Sequence, residues 1–182
     1  MERATFGCGC YWGVEHLFRA EFGANVIVEG SVGFMGGTCL ENPGYKAVCT
    51  GSTGHTEVFS FSFDPSMVLY AQLVEFFFRI HDSTALRKKG RTVCQQYASA
   101  IFYHTDRQRD IAEEYIQRLT ATAVVLKTIS PTAFEEKFRA AFGSGDIVTE
   151  VRPAQLFFPA HDAHQHFLDK NTGVSCSHRR YF

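Results

Sequence analysis

A cysteine set among glycines and aromatics lies near the start of the chain, in Phe6-Gly7-Cys8-Gly9-Cys10-Tyr11-Trp12-Gly13. The segment reads as a strand-to-helix turn, which puts Cys10 where the first helical N–H groups lack partners. Their partial positive charge stabilises a thiolate, the nucleophilic form, and lowers the thiol pKa. Gly7, Gly9 and Gly13 leave room for a substrate to approach the backbone, and Tyr11 and Trp12 supply aromatic walls beside the sulfur. The same pattern also suits a buried cysteine in a glycine turn.

Other segments carry chemistry. Glu57 opens a hydrophobic strand beside Val58 and Phe59. A carboxyl desolvated there has its pKa raised and can act as an acid at neutral pH. On an exposed edge it would be an ordinary solvated glutamate. Tyr97, in Gln95-Gln96-Tyr97 before another strand, either aims its hydroxyl into a pocket or packs. His161 and His164 stand three apart, at metal-ligand spacing, but no second ligand pair accompanies them. Cys176 follows Gly173 in a polar tail. A mobile tail thiol can reach a distant sulfenic acid and close a disulfide with it.

Hydrophobic periodicity supplies the elements that position these groups. Strands are expected over 3–7, 25–34, 56–63, 98–103 and 147–152. Helices are expected over 11–22, 67–81, 106–119 (capped by Asp106, with Ile111, Tyr115 and Leu119 inward), 132–142 and, as a last short one, 160–169. A long loop over 35–54 holds Asn42-Pro43-Gly44-Tyr45, and a polar, basic loop spans 83–94. The order predicts an α+β fold: a two-layer sandwich with a mixed sheet, of ferredoxin-like kind. It is read as one domain over 1–182 with a mobile tail from about 170.

With 182 residues the chain is long enough to fold without a metal or disulfide staple. A net charge of −1 argues against a basic nucleic-acid-binding surface, and 18 Phe with 7 Tyr exclude intrinsic disorder. No apolar run spans a bilayer and no signal peptide is read, so a cytoplasmic protein is expected. The six cysteines (Cys8, Cys10, Cys39, Cys49, Cys94 and Cys176) are then read as thiols in a reducing compartment, most of them small buried hydrophobes.

Taken together, these segments resemble the methionine sulfoxide reductase A family. The resemblance runs from Ala4 to Cys176. Its blocks are Gly9-Cys10-Tyr11-Trp12-Gly13; Val32-Gly33-Phe34-Met35-Gly36-Gly37 with Asn42-Pro43; Cys49-Thr50-Gly51 through Gly54-His55-Thr56-Glu57-Val58; and Phe158-Pro159-Ala160 with His164-Gln165.

The resemblance implies thiol-dependent reduction of methionine S-sulfoxide, free or in proteins, without metal or organic cofactor. By position Cys10 matches the nucleophile, Glu57 the acid, and Tyr45 and Tyr97 the hydroxyls that hold the sulfoxide oxygen. Tyr11 and Trp12 match the walls around the substrate methyl group, with Gly13 and His164 as further substrate-binding residues. Cys176 matches the resolving thiol, with Cys94 and then Cys8 as alternatives, and thioredoxin is the implied reductant of a monomeric enzyme.

Departures cluster near the implied substrate mouth. Tyr11 replaces a usual Phe and Cys8 a usual Ala or Met. Thr92 stands for an expected Asp, Cys94 for a Gly, His161 for a Glu and Ala163 for a Tyr. They keep three alternatives open: a reductase of another sulfoxide, a weakly active thiol sensor on the same fold, and a Cys/His zinc module.

Overall fold

The core is laid down by alternation in the strands. In β1 (Glu2–Cys8), Ala4, Phe6 and Cys8 enter the main core. Thr5 turns to the other face, where its hydroxyl donates to Ser60 Oγ at 2.9 Å. The computed structural model describes residues 1–38, 41–85, 88–89, 92–120, 131–143 and 145–182. Cys39, Gly90 and Arg91 lie outside the described residues.

After β1 come α1 (Tyr11–Phe22), β2 (Ile27–Met35), α2 (Gly44–Cys49), β3 (Thr56–Phe63), α3 (Tyr70–Arg79), the short β4 (Lys88–Lys89) and β5 (Thr92–Val93), and β6 (Ser99–Tyr103). Then follow α4 (Asp106–Thr120), α5 (Ala133–Phe142), β7 (Glu150–Pro153), β8 (Phe158–Pro159) and α6 (Phe167–Lys170). The main sheet has the order β7-β6-β1-β3-β2-β8. All its pairs are antiparallel except β6 with β7, so it is mixed. The central order β6-β1-β3-β2, traced as strand-helix-strand-strand-helix-strand, is the expected ferredoxin-like α+β arrangement.

Phenylalanines fill one face of this sheet. Phe6 stacks on Phe18 of α1 and Phe77 of α3, each at 5.3 Å between centroids. Phe59, Phe61 and Phe63 alternate inward along β3. Each such side chain removed from water contributes roughly 1.5–3 kcal/mol. Helix α3 is apolar almost all round because it is covered twice. Its Phe77 faces the sheet, while Phe78 meets Phe138 of α5. The opposite face of the sheet carries a smaller cluster of Met35, Val58, Ala100 and Phe102 under Ala154 and Phe157.

Several expectations need correction. The loop over 35–54 contains helix α2, and the 83–94 segment contains the β4-β5 hairpin. Helix α4 is capped by Thr105, whose hydroxyl accepts from Gln108 N at 3.2 Å, rather than by Asp106. The expected last helix is split into a 3-10 turn over Asp162–His164 and α6. Gln165 is the reason. Its side-chain amide bonds both the N–H and the C=O of Val32, at 2.8 and 2.9 Å, so the chain cannot coil through it. His166 follows in a left-handed conformation with φ 53°. No helix among the described residues is long and apolar enough to cross a membrane.

The tail after α6 lies against the body. Tyr181 N donates to Arg79 O at 2.9 Å, Arg180 pairs with Glu21 at 2.8 Å, and Phe182 packs on Phe134 and Phe142.

Candidate active site

Cys10 holds the N-cap position of α1, and its carbonyl accepts from Gly13 N at 3.2 Å. The turn before it needs φ +113° at Gly9, a conformation that L side chains rarely adopt. Strand β3 brings Glu57 to the same helix end. Its Oε2 accepts from Tyr11 N at 3.1 Å and its Oε1 from Gln96 Nε2 at 3.2 Å. Burial pushes the Glu57 carboxyl up to about 7, against the pull of both those donors.

The aromatic residues gather beside this pair. Trp12 Nε1 donates to His164 Nδ1 at 3.3 Å, and Phe167 stacks on the indole at 3.7 Å. Tyr45 comes from α2 and stacks on His164 at 5.0 Å. Burial, then a hydrogen bond to Cys49, raises the Tyr45 phenol above its ordinary range. Tyr97, from the 3-10 turn over Gln95–Tyr97, is pushed up to about 12 by burial and then by the Glu57 charge. Both phenols are therefore neutral donors at ordinary pH. Tyr11 is fully buried, and its hydroxyl has no hydrogen-bond partner among the described residues.

The tail reaches the same place from the other side. Cys176 meets the Cys10 thiol, and His178 Nδ1 lies 3.3 Å from Cys176 Sγ. The neighbouring Cys176 is the largest cause holding the Cys10 thiol above its usual range, followed by burial and the Glu57 charge. The Cys10 hydrogen bond and then His178 bring Cys176 down to about 4. Gly13 lies under this tail: a Cβ there would sit 2.7 Å from Cys176 Sγ.

The other cysteines among the described residues are free but placed differently. Cys8 is buried, between His81 and His178. Burial works to raise its thiol, and the two histidines overcome it, bringing it to about 6. Cys94 caps the start of the Tyr97 turn, and its charge is the smallest of the influences that raise the Tyr97 phenol. The His161 and His164 Nδ1 atoms accept from Ala163 N and Trp12 Nε1. Among the described residues no group of three or more His, Cys, Asp or Glu could hold a metal ion.

Two contacting residues have no assigned role from sequence reasoning. Gln96 bonds Glu57 and also reaches Cys49 Sγ at 3.6 Å. His178 bonds Cys176 and the Cys8 carbonyl. The only local signal for His178 was its place two residues after the tail cysteine.

A ferredoxin-like α+β fold with paired thiols, a carboxyl raised by burial and two neutral phenols at one helix end defines a thiol-based oxidoreductase. The family model for peptide methionine sulfoxide reductase matches residues 2–181, and the chain belongs to that family. A peptide methionine sulfoxide reductase MsrA from Methanothermobacter thermautotrophicus is 44% identical over 175 residues, covering 96% of this chain and 90% of its own. One from Geobacter sulfurreducens is 38% identical, covering 97% and 95%. Among solved structures, reduced Mxr1 from Saccharomyces cerevisiae matches with a TM-score of 0.74 at 29% identity, covering 96% of this chain and 88% of its own. Methionine sulfoxide reductase A of Corynebacterium diphtheriae matches with 0.68 at 33%, covering 97% and 77%. Mxr1 has also been solved in complex with Trx2.

Proposed function

We propose that this chain reduces the S epimer of methionine sulfoxide, free or in proteins, with Cys10 as the nucleophile. Cys10 attacks the sulfoxide sulfur while Glu57 protonates the oxygen, and the Tyr45 and Tyr97 hydroxyls hold that oxygen. Trp12 and His164 wall the substrate's methyl side, with the buried Tyr11 ring packed behind them. Methionine leaves, and the oxygen ends on the Cys10 sulfur as a sulfenic acid. One observation carries this reading: a carboxyl with a pKa of about 7 bonds the first N–H of the helix that begins at Cys10. A sulfoxide oxygen leaves only when protonated, and burial keeps a large share of Glu57 protonated near neutral pH, where an ordinary carboxyl has lost its proton.

Cys176 is proposed as the resolving thiol, ahead of Cys94 and Cys8, because it meets Cys10. The tail then moves during the cycle. With Cys176 withdrawn, the largest cause raising Cys10 is gone, and the Trp12 N–H favours the thiolate. With Cys176 returned, the sulfenic acid meets its partner. Thioredoxin is the proposed reductant, as the solved Mxr1–Trx2 complex suggests by analogy. A groove of about 620 Å³ beside Cys176, lined by His16, Leu17, Val174 and Arg179, gives a reductant access. We further propose a single-domain monomer in the cytoplasm. The five cysteines among the described residues are free thiols, which suits a reducing compartment.

The test is methionine formed from each separated epimer with dithiothreitol as reductant. Turnover of the S epimer alone is expected. Turnover of neither would overturn the reading.

A further inference from the structure

We propose that His178 carries the proton of the resolving step: it takes the proton of the Cys176 thiol and returns it to the oxygen that leaves Cys10. This rests on the reductase reading above and adds a catalytic residue to it.

The tautomer follows from the two contacts of the ring. His178 Nε2 lies 2.8 Å from the Cys8 carbonyl oxygen, which can only accept, so Nε2 carries a hydrogen. In the neutral ring Nδ1 is then the bare nitrogen, and it faces Cys176 Sγ at 3.3 Å. The Cys176 thiol proton therefore has a short path onto Nδ1. Once it has moved, an imidazolium stands beside a thiolate.

The ring is held on two sides. A Cβ at Gly9 would come within 2.9 Å of His178 Cε1, and one at Gly13 within 2.7 Å of Cγ, so the ring lies flush on the turn that presents Cys10. Beyond it, Arg180 and Tyr181 anchor the tail to Glu21 and Arg79. The charged and titratable groups facing His178 are Cys176 from its own segment, Cys8 from β1 and Glu57 from β3. Cys10 lies next to Cys176, and His81 lies behind Cys8. Burial opposes a charge on His178, yet the Cys176 and Cys8 thiols outweigh it and raise the ring to about 10.

The step balances. Cys176 thiolate attacks the Cys10 sulfur, the S–S bond forms and the S–O bond breaks. The oxygen takes the Nδ1 proton and departs as water. Cys176 sulfur is oxidised, Cys10 sulfur is reduced, and His178 returns to its neutral tautomer.

The experiment uses the reduced full chain and one equivalent of methionine S-sulfoxide, without reductant. It reads released methionine, the Cys10–Cys176 disulfide, and Cys10 sulfenic acid trapped by a cyclic 1,3-dione. His178→Gln is the variant, because its amide can still donate to the Cys8 carbonyl. Wild-type protein is expected to close the disulfide at a rate nearly flat between about pH 6 and 9. In H178Q, methionine still appears, but the sulfenic acid persists about 10²-fold longer, the scale of a lost proton carrier. Its disulfide rate should also climb with pH toward the ordinary thiol range near about 8.5. Wild-type closure in H178Q overturns the proposal. So does a slower rate with an unchanged pH profile, which marks a purely structural role. Failure of wild-type protein to release methionine overturns the reductase reading, and this proposal with it.

Discussion

Glu57 Oε2 accepts a hydrogen bond from the backbone N–H of Tyr11 at 3.1 Å. That N–H belongs to the first residue of α1, so the acid and the cysteine share one helix end. The helix end favours a carboxylate and burial favours the neutral acid. Burial wins, at about 7. Replacing Glu57 by Gln keeps an acceptor for Tyr11 but removes the proton. Turnover with dithiothreitol should fall by about 10² or more.

The same raised carboxyl costs stability. Its folded value of about 7 exceeds the ordinary 4.5, so the folded chain binds more protons between those values. Stability therefore falls as pH rises through that window, and the full cost, on the order of 3 kcal/mol, is present above it. Thermal melts should show E57Q more stable than wild-type at pH 8, with no gain from this source at pH 4. A gain independent of pH would contradict the account.

Gln96 donates to Glu57 and so holds its pKa down. In Gln96→Leu the acid should stay protonated to higher pH. The alkaline limb of the pH–rate profile should then move up, measured as kcat/KM against pH. A limb that stays in place would separate Glu57 from the protonation step.

Part of this site was legible: residue type and spacing marked Cys10, Glu57 and Cys176 as candidates, and the family resemblance supplied the roles proposed for them. A cysteine after a glycine turn, an acid on a phenylalanine-rich strand and a thiol in the tail each announce a chemistry. Periodicity likewise gave α1 and β3 with the bounds observed. Gln96 was opaque because its partner is 39 residues away and is brought near by the register of β3 against the Gln95–Tyr97 turn. His178 was opaque because its partners lie on β1 and in the tail itself. The two-residue strand β8 is too short to show a period, and the break at Gln165 depends on a side chain bonding a distant strand edge.

Cys176 is the largest cause raising the Cys10 thiol. Cys176→Ala should lower the Cys10 pKa, so that alkylation by iodoacetamide reaches its plateau at lower pH than in wild-type protein. The variant should still release one methionine per chain without reductant, but thioredoxin should no longer recycle it. Continued recycling would shift the resolving role to Cys94 or Cys8.

The Tyr11 hydroxyl is buried and has no hydrogen-bond partner among the described residues. An unsatisfied buried polar group costs about 1–3 kcal/mol, so Tyr11→Phe should raise the melting temperature. An unchanged or lower value would mean that the hydroxyl has a partner in solution.

Strand β2 would otherwise end the sheet with unpaired N–H and C=O groups, a template on which a second chain can add a strand. β8 covers only Gly33 and Phe34, and the Gln165 amide takes both backbone groups of Val32 beyond it. The Ala160 N–H also reaches the Val32 carbonyl, at 3.0 Å, so backbone and side chain together close the border there. A chain with Ala at 165 would keep its thiols and its acid, yet it would be prone to join its neighbours edge to edge into aggregates.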